Sequence, residues 1–429
     1  MHTGLRTLPS PARYKKGDVL VLFGELFSRG YANGIVDEAE KHGLTIVRST
    51  VGRRDGDGLR ALNSEEMENI PEPFINIPME AGFDLEPDST GATPCDRLKG
   101  FKMDEWNQIK LDWNKIDESR QKGIARFRAN TQKYMAELEK HIPSGANVLF
   151  VHTMAGGVPR AKILMPVMNK VFKGRDDRFI SSEAFWTSDI GKLCDWNFNE
   201  VTANTFQHLV EQSSTLRSKI EKGGGHVSYV AYGYHGTDVL HGDKFEWQTY
   251  SPYIQGWAKL KLEGYCEKFF KEGLKTSVYN CPEILTNSSS IFQGVEVPLY
   301  PMLGALEKYP STHTRAVLEE CKKLLKPEHT VKEIMDFTLQ FFRNPVIKSH
   351  MIFEKWPQHN SKDQMELLLD SSEKLIDMHK DPKNLITFVL SEEIFKSTGT
   401  IMFHESWKPR GPVLWLGHDI LAEQLTHMT

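Results

Sequence analysis

The sequence predicts an α/β protein built on a doubly wound parallel sheet, with a helical elaboration near the C-terminus. Three observations carry this. Short apolar, β-branched runs alternate with longer amphipathic stretches over most of the chain. The first run passes through a glycine-containing turn directly into a helical pattern. Strand, helix and strand then follow within about 35 residues, the length of one βαβ unit.

Element by element, VLVLF (19–23) precedes the turn and the helix-like YANGIVDEAEKHG, and LTIVRSTV (44–51) is the second strand. Residues of about 56–103 are rich in Pro, Gly, Asp and Glu and read as an irregular insertion with room for one strand. A helical stretch at 104–140 leads into the strand NVLFVHTM (147–154). VTANTFQHLVEQSSTLRSKIEK then precedes HVSYVAYGY (226–234), and WAKLKLEGYCEKFFKEG precedes KTSVYNC (275–281). Residues of about 298–380 hold helical patterns such as TRAVLEECKKLL with no strand between them, a cover for the ligand end of the sheet. GTIMFH (399–404) reads as a last strand returning to the same sheet, which makes 1–429 a single Rossmann-type domain.

Composition narrows the function. Hydrophobic residues at 39% and charged residues at 26% are those of a soluble globular protein. A formal charge of -4 gives no basic footprint for nucleic acid. No run approaches the ~18 apolar residues of a membrane span, and MHTGLRTLPSPARYKKGD lacks the apolar core of a secretory signal. Five scattered cysteines without CxxC spacing suggest neither a disulfide frame nor a zinc site, so a reducing, cytoplasmic setting is expected. His235 and His241 have no third ligand in register, and no metal is expected.

The turn after the first strand, with Gly24, Gly30 and Gly34, suits a dinucleotide pyrophosphate. Glycine admits the phosphates close to the backbone, and the following helix offers free N–H groups and the positive end of its dipole. The second strand ends in STVGRRDGDG, beside the place of the adenosine ribose. Arginine there accommodates a 2′-phosphate, so Arg53 and Arg54 point to NADPH, with NADH as the second choice. The alternative is a solvated loop with two surface arginines.

The stretch QTYSPYIQGWAK (248–259) brings tyrosine and lysine together. Reduction of a polarised C=O or C=C needs a group that stabilises the resulting oxyanion, and a tyrosine with a nearby ammonium does this. Four residues before Lys259 stands Gln255, so the pair that shares one helix face at about 400° of rotation is absent. Tyr253 at about 600° would point away from Lys259 on a regular helix. Pro252 favours a helix start, which places Tyr250 in the preceding loop, able to bend back towards Lys259.

These residues resemble the short-chain dehydrogenase/reductase superfamily. Tyr250-x8-Lys259, with Gly256 and Ala258 between, is similar to the signature of its trans-2-enoyl-CoA/ACP reductases of the FabV type. SRGYAN resembles the superfamily's Ser-Arg-Gly-Ile-Gly turn, implying that Ser28, Arg29, Gly30 and Tyr31 join Gly24 at the cofactor. HTMAGG resembles Asn-Asn-Ala-Gly, implying Ala155 and Gly156 beside the nicotinamide ribose, with Asn204 holding a relay water. NCPEILTNSSS resembles Pro-Gly-x-x-x-Thr, with Glu283 in place of glycine, implying Thr286 at the carboxamide. VAYGY implies Tyr232 as a second active-site tyrosine, with Tyr234 as its substitute, although an insertion, HGTDVLHGDKFEW, separates it from Tyr250. VPLYPMLGALEKY resembles the helix lining the acyl pocket, and SEEIFKSTGTIMFHESW the last-strand phrase.

The resemblance implies NAD(P)H-dependent reduction of an enoyl thioester. Tyr250 supports the enolate, and Lys259 serves both tyrosine and nicotinamide ribose. The substrate would be a small molecule or acyl thioester, with acyl carrier protein as a candidate carrier. A ketone or aldehyde reductase uses the same groups, and a non-catalytic NADP sensor needs only the cofactor contacts. Nothing in the sequence sets an oligomeric state.

Overall fold

The computed structural model describes residues 2–55, 58–241, 244–248, 254–286 and 293–428. Its strands in chain order are β1 (His2–Gly4), β2 (Val19–Phe23), β3 (Thr45–Thr50), β4 (Arg53–Asp55), β5 (Gly58–Arg60) and β6 (Phe74–Pro78). They continue with β7 (Val148–His152), β8 (Val227–Tyr232), β9 (Thr237–His241), β10 (Lys244–Gln248), β11 (Thr276–Asn280) and β12 (Val413–Trp415). Eight of them form one sheet in the order β1-β12-β11-β8-β7-β2-β3-β6. Every neighbouring pair is parallel. Two antiparallel hairpins, β4–β5 and β9–β10, lie outside it.

The apolar runs are unbroken because both faces of the sheet are covered. Leu20, Leu22, Leu149 and Val151 pack with helices α1 (Ala32–Lys41) and α4 (Ile386–Glu405). Val19, Val21, Phe23, Val148 and Phe150 point the other way, towards α2 (Trp113–Leu138) and α3 (Gly256–Lys271). From β2 the chain winds outward through β3 to β6, then restarts at β7 on the other side of β2. That reversal falls at β2 and β7, and doubly wound sheets take their ligands beyond the carboxyl ends of the strands at such a point.

One expectation is corrected. GTIMFH is the C-terminal part of α4, and the closing strand is VLW, β12. Ile401, Met402 and Phe403 are consecutive and each fully buried. A helix enclosed all round carries no amphipathic period, so it reads as a buried strand. Within it, Gly399 meets Gly34 of α1 backbone to backbone: a Cβ on Gly399 would lie 2.0 Å from the Gly34 carbonyl carbon. The irregular 56–103 insertion does hold a strand of the main sheet: Phe74–Pro78 is the edge strand beside β3. The 298–380 segment is helical as expected, with helices at Pro301–Lys308, Thr312–Leu324, Val331–Arg343 and Lys362–Asp377. The insertion after Tyr232 is the β9–β10 hairpin.

Candidate active site

The glycine turn closes on the turn after β7 at the point where the strand order reverses. Gly24 has φ 126°, and a Cβ there would lie 2.5 Å from Thr153 Oγ1. Only glycine fits a conformation and an approach of that kind. Thr153 N–H donates to Phe23 O at 3.0 Å, and Gly24 N–H donates to Ser49 Oγ at 3.2 Å, so three strand ends are tied together. Asn33 Nδ2 braces the turn by donating to Phe27 O and Gly30 O, each at 3.0 Å. Helix α1 then starts with no side-chain cap. In its first turn the Asn33 and Gly34 N–H groups donate to Gly30 O and Tyr31 O, at 3.3 and 3.2 Å, which ties the glycine turn to the helix start. Arg29 lies over the Phe388 ring at 5.1 Å. Tyr31 OH donates to Pro282 O, and its ring stacks on Tyr232 with centroids 5.7 Å apart.

Past the end of β3 both arginines are already engaged. Arg53 donates to both oxygens of Glu25, at 2.9 and 3.0 Å. Arg54, whose side chain is 10% exposed, is paired with Glu80 at 2.6 Å and Glu86 at 2.5 Å. Glu25, one residue past Gly24, also accepts from Thr50 Oγ1 at 2.8 Å. An acidic residue thus stands where the sequence directs attention to two cations. Glu25 escapes a reading that places the acid at the end of the second strand, because it comes from the first turn.

After β7, Gly156 has φ 100° and its carbonyl accepts from Thr202 Oγ1 at 3.1 Å, which fixes the Ala155–Gly156 turn. Asn204 lies at the end of a π-helical turn (Asn199–Asn204), donates to Glu200 at 2.8 Å and accepts from Tyr265 OH at 2.9 Å. Its amide thus serves the packing of that turn on α3. Thr286 ends the described stretch after β11. Tyr300 of the expected acyl helix is fully buried in the core, its hydroxyl without a partner among the described residues.

Lys259 sits in the first turn of α3, buried, with Nζ donating to Tyr232 O at 2.6 Å. Burial depresses its ammonium to about 8, against the opposing pull of Cys281 and Glu263. The same burial, with Lys259 nearby, lowers His152 to about 3. Tyr232 OH is buried without a hydrogen-bond partner among the described residues, and burial pushes its phenol well above the ordinary value. A buried orphan hydroxyl is costly unless a ligand or another residue completes it. Helix α3 begins at Gly256; Tyr250, Pro252 and Tyr253 lie outside the described residues.

One group escaped the sequence reading. Glu283 follows β11, is buried, and accepts from Tyr234 OH at 2.7 Å. Burial pushes its carboxyl up to about 8, against that hydrogen bond, so it is neutral at pH 7. The only signal was a carboxylic acid in a turn where glycine is usual. The arrangement therefore brings a glycine turn, a depressed ammonium and a buried acid together around the carboxyl ends of β2, β7, β8 and β11.

The family model described as enoyl-acyl carrier protein reductase FabMG matches residues 1–425. Among solved structures, the chain is similar to the apo structure of a FabMG enoyl-acyl carrier protein reductase. The identity is 46% and the TM-score 0.96, over 100% of this chain and 99% of that chain. It is also similar to an NADH-bound FabMG structure, at 39% identity and a TM-score of 0.81, over 100% of both chains. No curated protein matches the chain.

Proposed function

The chain belongs to the FabMG family of enoyl-acyl carrier protein reductases, and we propose that it reduces the 2,3 double bond of an enoyl thioester with NADH. The single observation that carries the cofactor reading is the meeting of Gly24 and Thr153 at the strand-order reversal, with Lys259 two strands away. Gly24, Ser28, Arg29, Gly30 and Tyr31 would hold the pyrophosphate. Ala155, Gly156 and Lys259 would hold the nicotinamide ribose, and Thr286 the carboxamide. The orphaned Tyr232 hydroxyl supports a ligand in the same opening. NADH is preferred over NADPH because Glu25 occupies Arg53, and Glu80 and Glu86 occupy Arg54. A free 2′-hydroxyl is met by an acid, whereas a 2′-phosphate needs a cation at liberty. The NADH-bound relative supports the same choice.

The dinucleotide, when bound, supplies hydride to the β-carbon. The chain's own residues handle the charge that develops on the thioester oxygen. We assign Tyr250 as the hydroxyl that supports the enolate, in the short-chain manner with FabV-like spacing, and Tyr232 as the second tyrosine. Lys259 donates to the Tyr232 carbonyl, and although burial lowers its ammonium to about 8, it would supply the positive charge of the pair. The carrier is acyl carrier protein, the setting cytoplasmic, and the whole chain one Rossmann-type domain. Two features support that extent: helices of 298–380 share a core with β2 and β7, and β12 closes the sheet. No described helix is long and apolar enough to cross a membrane.

The test is absorbance loss with NADH and NADPH, using crotonyl thioesters of acyl carrier protein and of CoA, against an acetoacetyl substrate. Enoyl turnover with NADH is the expected result. Turnover of the ketone alone would move the assignment to carbonyl reduction, and no oxidation of either dinucleotide would end it.

A further inference from the structure

Three groups from distant parts of the chain meet at the foot of the helix that carries Lys259. His2 lies on the edge strand β1, His235 follows β8, and Glu263 stands one turn beyond Lys259 on α3. Their ligand atoms all lie within 4.8 Å of one another. His2 Nε2 is 3.1 Å and His235 Nδ1 3.2 Å from Glu263 Oε2.

The protons in this cluster can be placed by their partners. His235 Nε2 is 3.0 Å from Phe353 O, and a carbonyl only accepts, so Nε2 carries the ring proton. In a neutral ring Nδ1 is then a bare lone pair, aimed at a carboxylate oxygen inside the protein, since His235 and Glu263 are 3% and 2% exposed. Two lone pairs do not attract, and the gap needs a cation. The backbone N–H of His235 donates to Asn280 Oδ1 at 2.7 Å, which orients that amide. Its Nδ2 then donates to Glu263 Oε1 at 2.8 Å, leaving Oε2 for the gap. The imidazole is held between the Phe353 and Trp356 rings, at centroid distances of 4.4 Å on either side.

We propose that His2 Nε2, His235 Nδ1 and Glu263 Oε2 bind a divalent transition-metal ion, zinc. Two imidazoles and one carboxylate are a zinc donor set, with water as the fourth ligand on the half-exposed His2 side. Zn–N and Zn–O bonds of about 2.0–2.2 Å put tetrahedral ligand atoms about 3.3–3.5 Å apart, close to the 3.1 and 3.2 Å between each imidazole nitrogen and Glu263 Oε2. The surroundings match those of a bound metal. The second nitrogen of His235 donates to a backbone carbonyl, and the free oxygen of the carboxylate is itself hydrogen-bonded. The ion would pin the N-terminal strand to α3 and so help to hold Lys259 in place. The other three-group cluster, Glu38, His42 and His404, lacks this logic. Ala12 N–H donates to His404 Nδ1, so Nε2 brings its own proton to Glu38, and Lys41 and Thr400 donate to the other oxygen.

The test uses the chain of 1–429 with nothing added before His2 but Met1 and no histidine tag, stripped with chelator and titrated with zinc chloride by calorimetry. Elemental analysis counts the bound ion. We expect one zinc per chain, a rise in thermal midpoint on loading, and visible absorption of four-coordinate type with cobalt(II). Losing even an outer partner of a metal site costs about 10–100-fold in affinity. His2→Gln, on a sheet edge, should cost about 100-fold or more while leaving the circular dichroism spectrum unchanged. Glu263→Gln should behave likewise, and if it fails to fold, His2→Gln carries the test alone. Failure of the wild-type chain to take up zinc would leave a proton in the gap, with His235 an imidazolium paired to Glu263, and would overturn the proposal. Equal uptake by His2→Gln would overturn it as well.

Discussion

Glu283→Gln isolates the buried acid behind β11. Burial pushes Glu283 from its ordinary value of 4.5 up to about 8. The folded state therefore binds this proton more tightly than the unfolded state, and the contribution to stability is fully present below about pH 4.5. It is lost as pH rises towards 8, at about 1.36 kcal/mol per pH unit. Over 3.5 units the loss amounts to about 5 kcal/mol, or about 3 to 6 allowing a unit either way. Glutamine mimics the protonated carboxyl and cannot ionise. The stability of wild type minus that of the variant, from urea unfolding of the cofactor-free protein, should fall by this amount between pH 4.5 and 8. Above pH 8 it should be flat. Lys259 acts in the adjoining window with the opposite sign, gaining stability as pH rises from about 8 to its ordinary 10.5. It is present in both proteins and cancels in the difference. A difference that stays constant from pH 4.5 to 8 would refute the reasoning and return Glu283 to the ionised carboxylates.

The remaining predictions concern catalysis, cofactor choice and packing. Tyr250→Phe should lower enoyl turnover by about 10²–10⁴ with dinucleotide binding retained, as fluorescence enhancement would report; undiminished turnover would remove Tyr250 from the mechanism. Glu25→Gln releases Arg53 and should raise the NADPH to NADH ratio of kcat/KM by about tenfold; an unchanged ratio would mean that Arg53 does not reach the ribose. Gly399→Ala forces a methyl group into the backbone of α1 and should cost about 1–3 kcal/mol or more in urea unfolding, whereas an unchanged midpoint would deny the close crossing.

The parts of the fold that sequence made legible are those where one physical signal dominates. VLVLF, NVLFVHTM and HVSYVAYGY are sandwiched strands, and continuous apolar β-branched runs have few other uses at that length. GTIMFH carries the same signal for a different reason, because α4 is enclosed on every side and its period is erased. Gly399 shows the same ambiguity: the glycine of an apparent last-strand phrase is spent on a helix crossing with Gly34. The placement of Gly24 in a strand-to-helix turn and of Lys259 at a helix start was legible because each is set by its own segment. Glu25 against Arg53, and His2 with Glu263 against His235, were not, since each pairing joins segments that only the sheet brings together. The sequence reading saw His235 and looked for its partners nearby in the chain. They stand 233 positions before it and 28 after, a separation the parallel crossovers close and no local spacing records. Charge pairs across a sheet end are therefore where a reading from sequence is weakest, and in this protein both the proposed choice of dinucleotide and the candidate metal site rest on them.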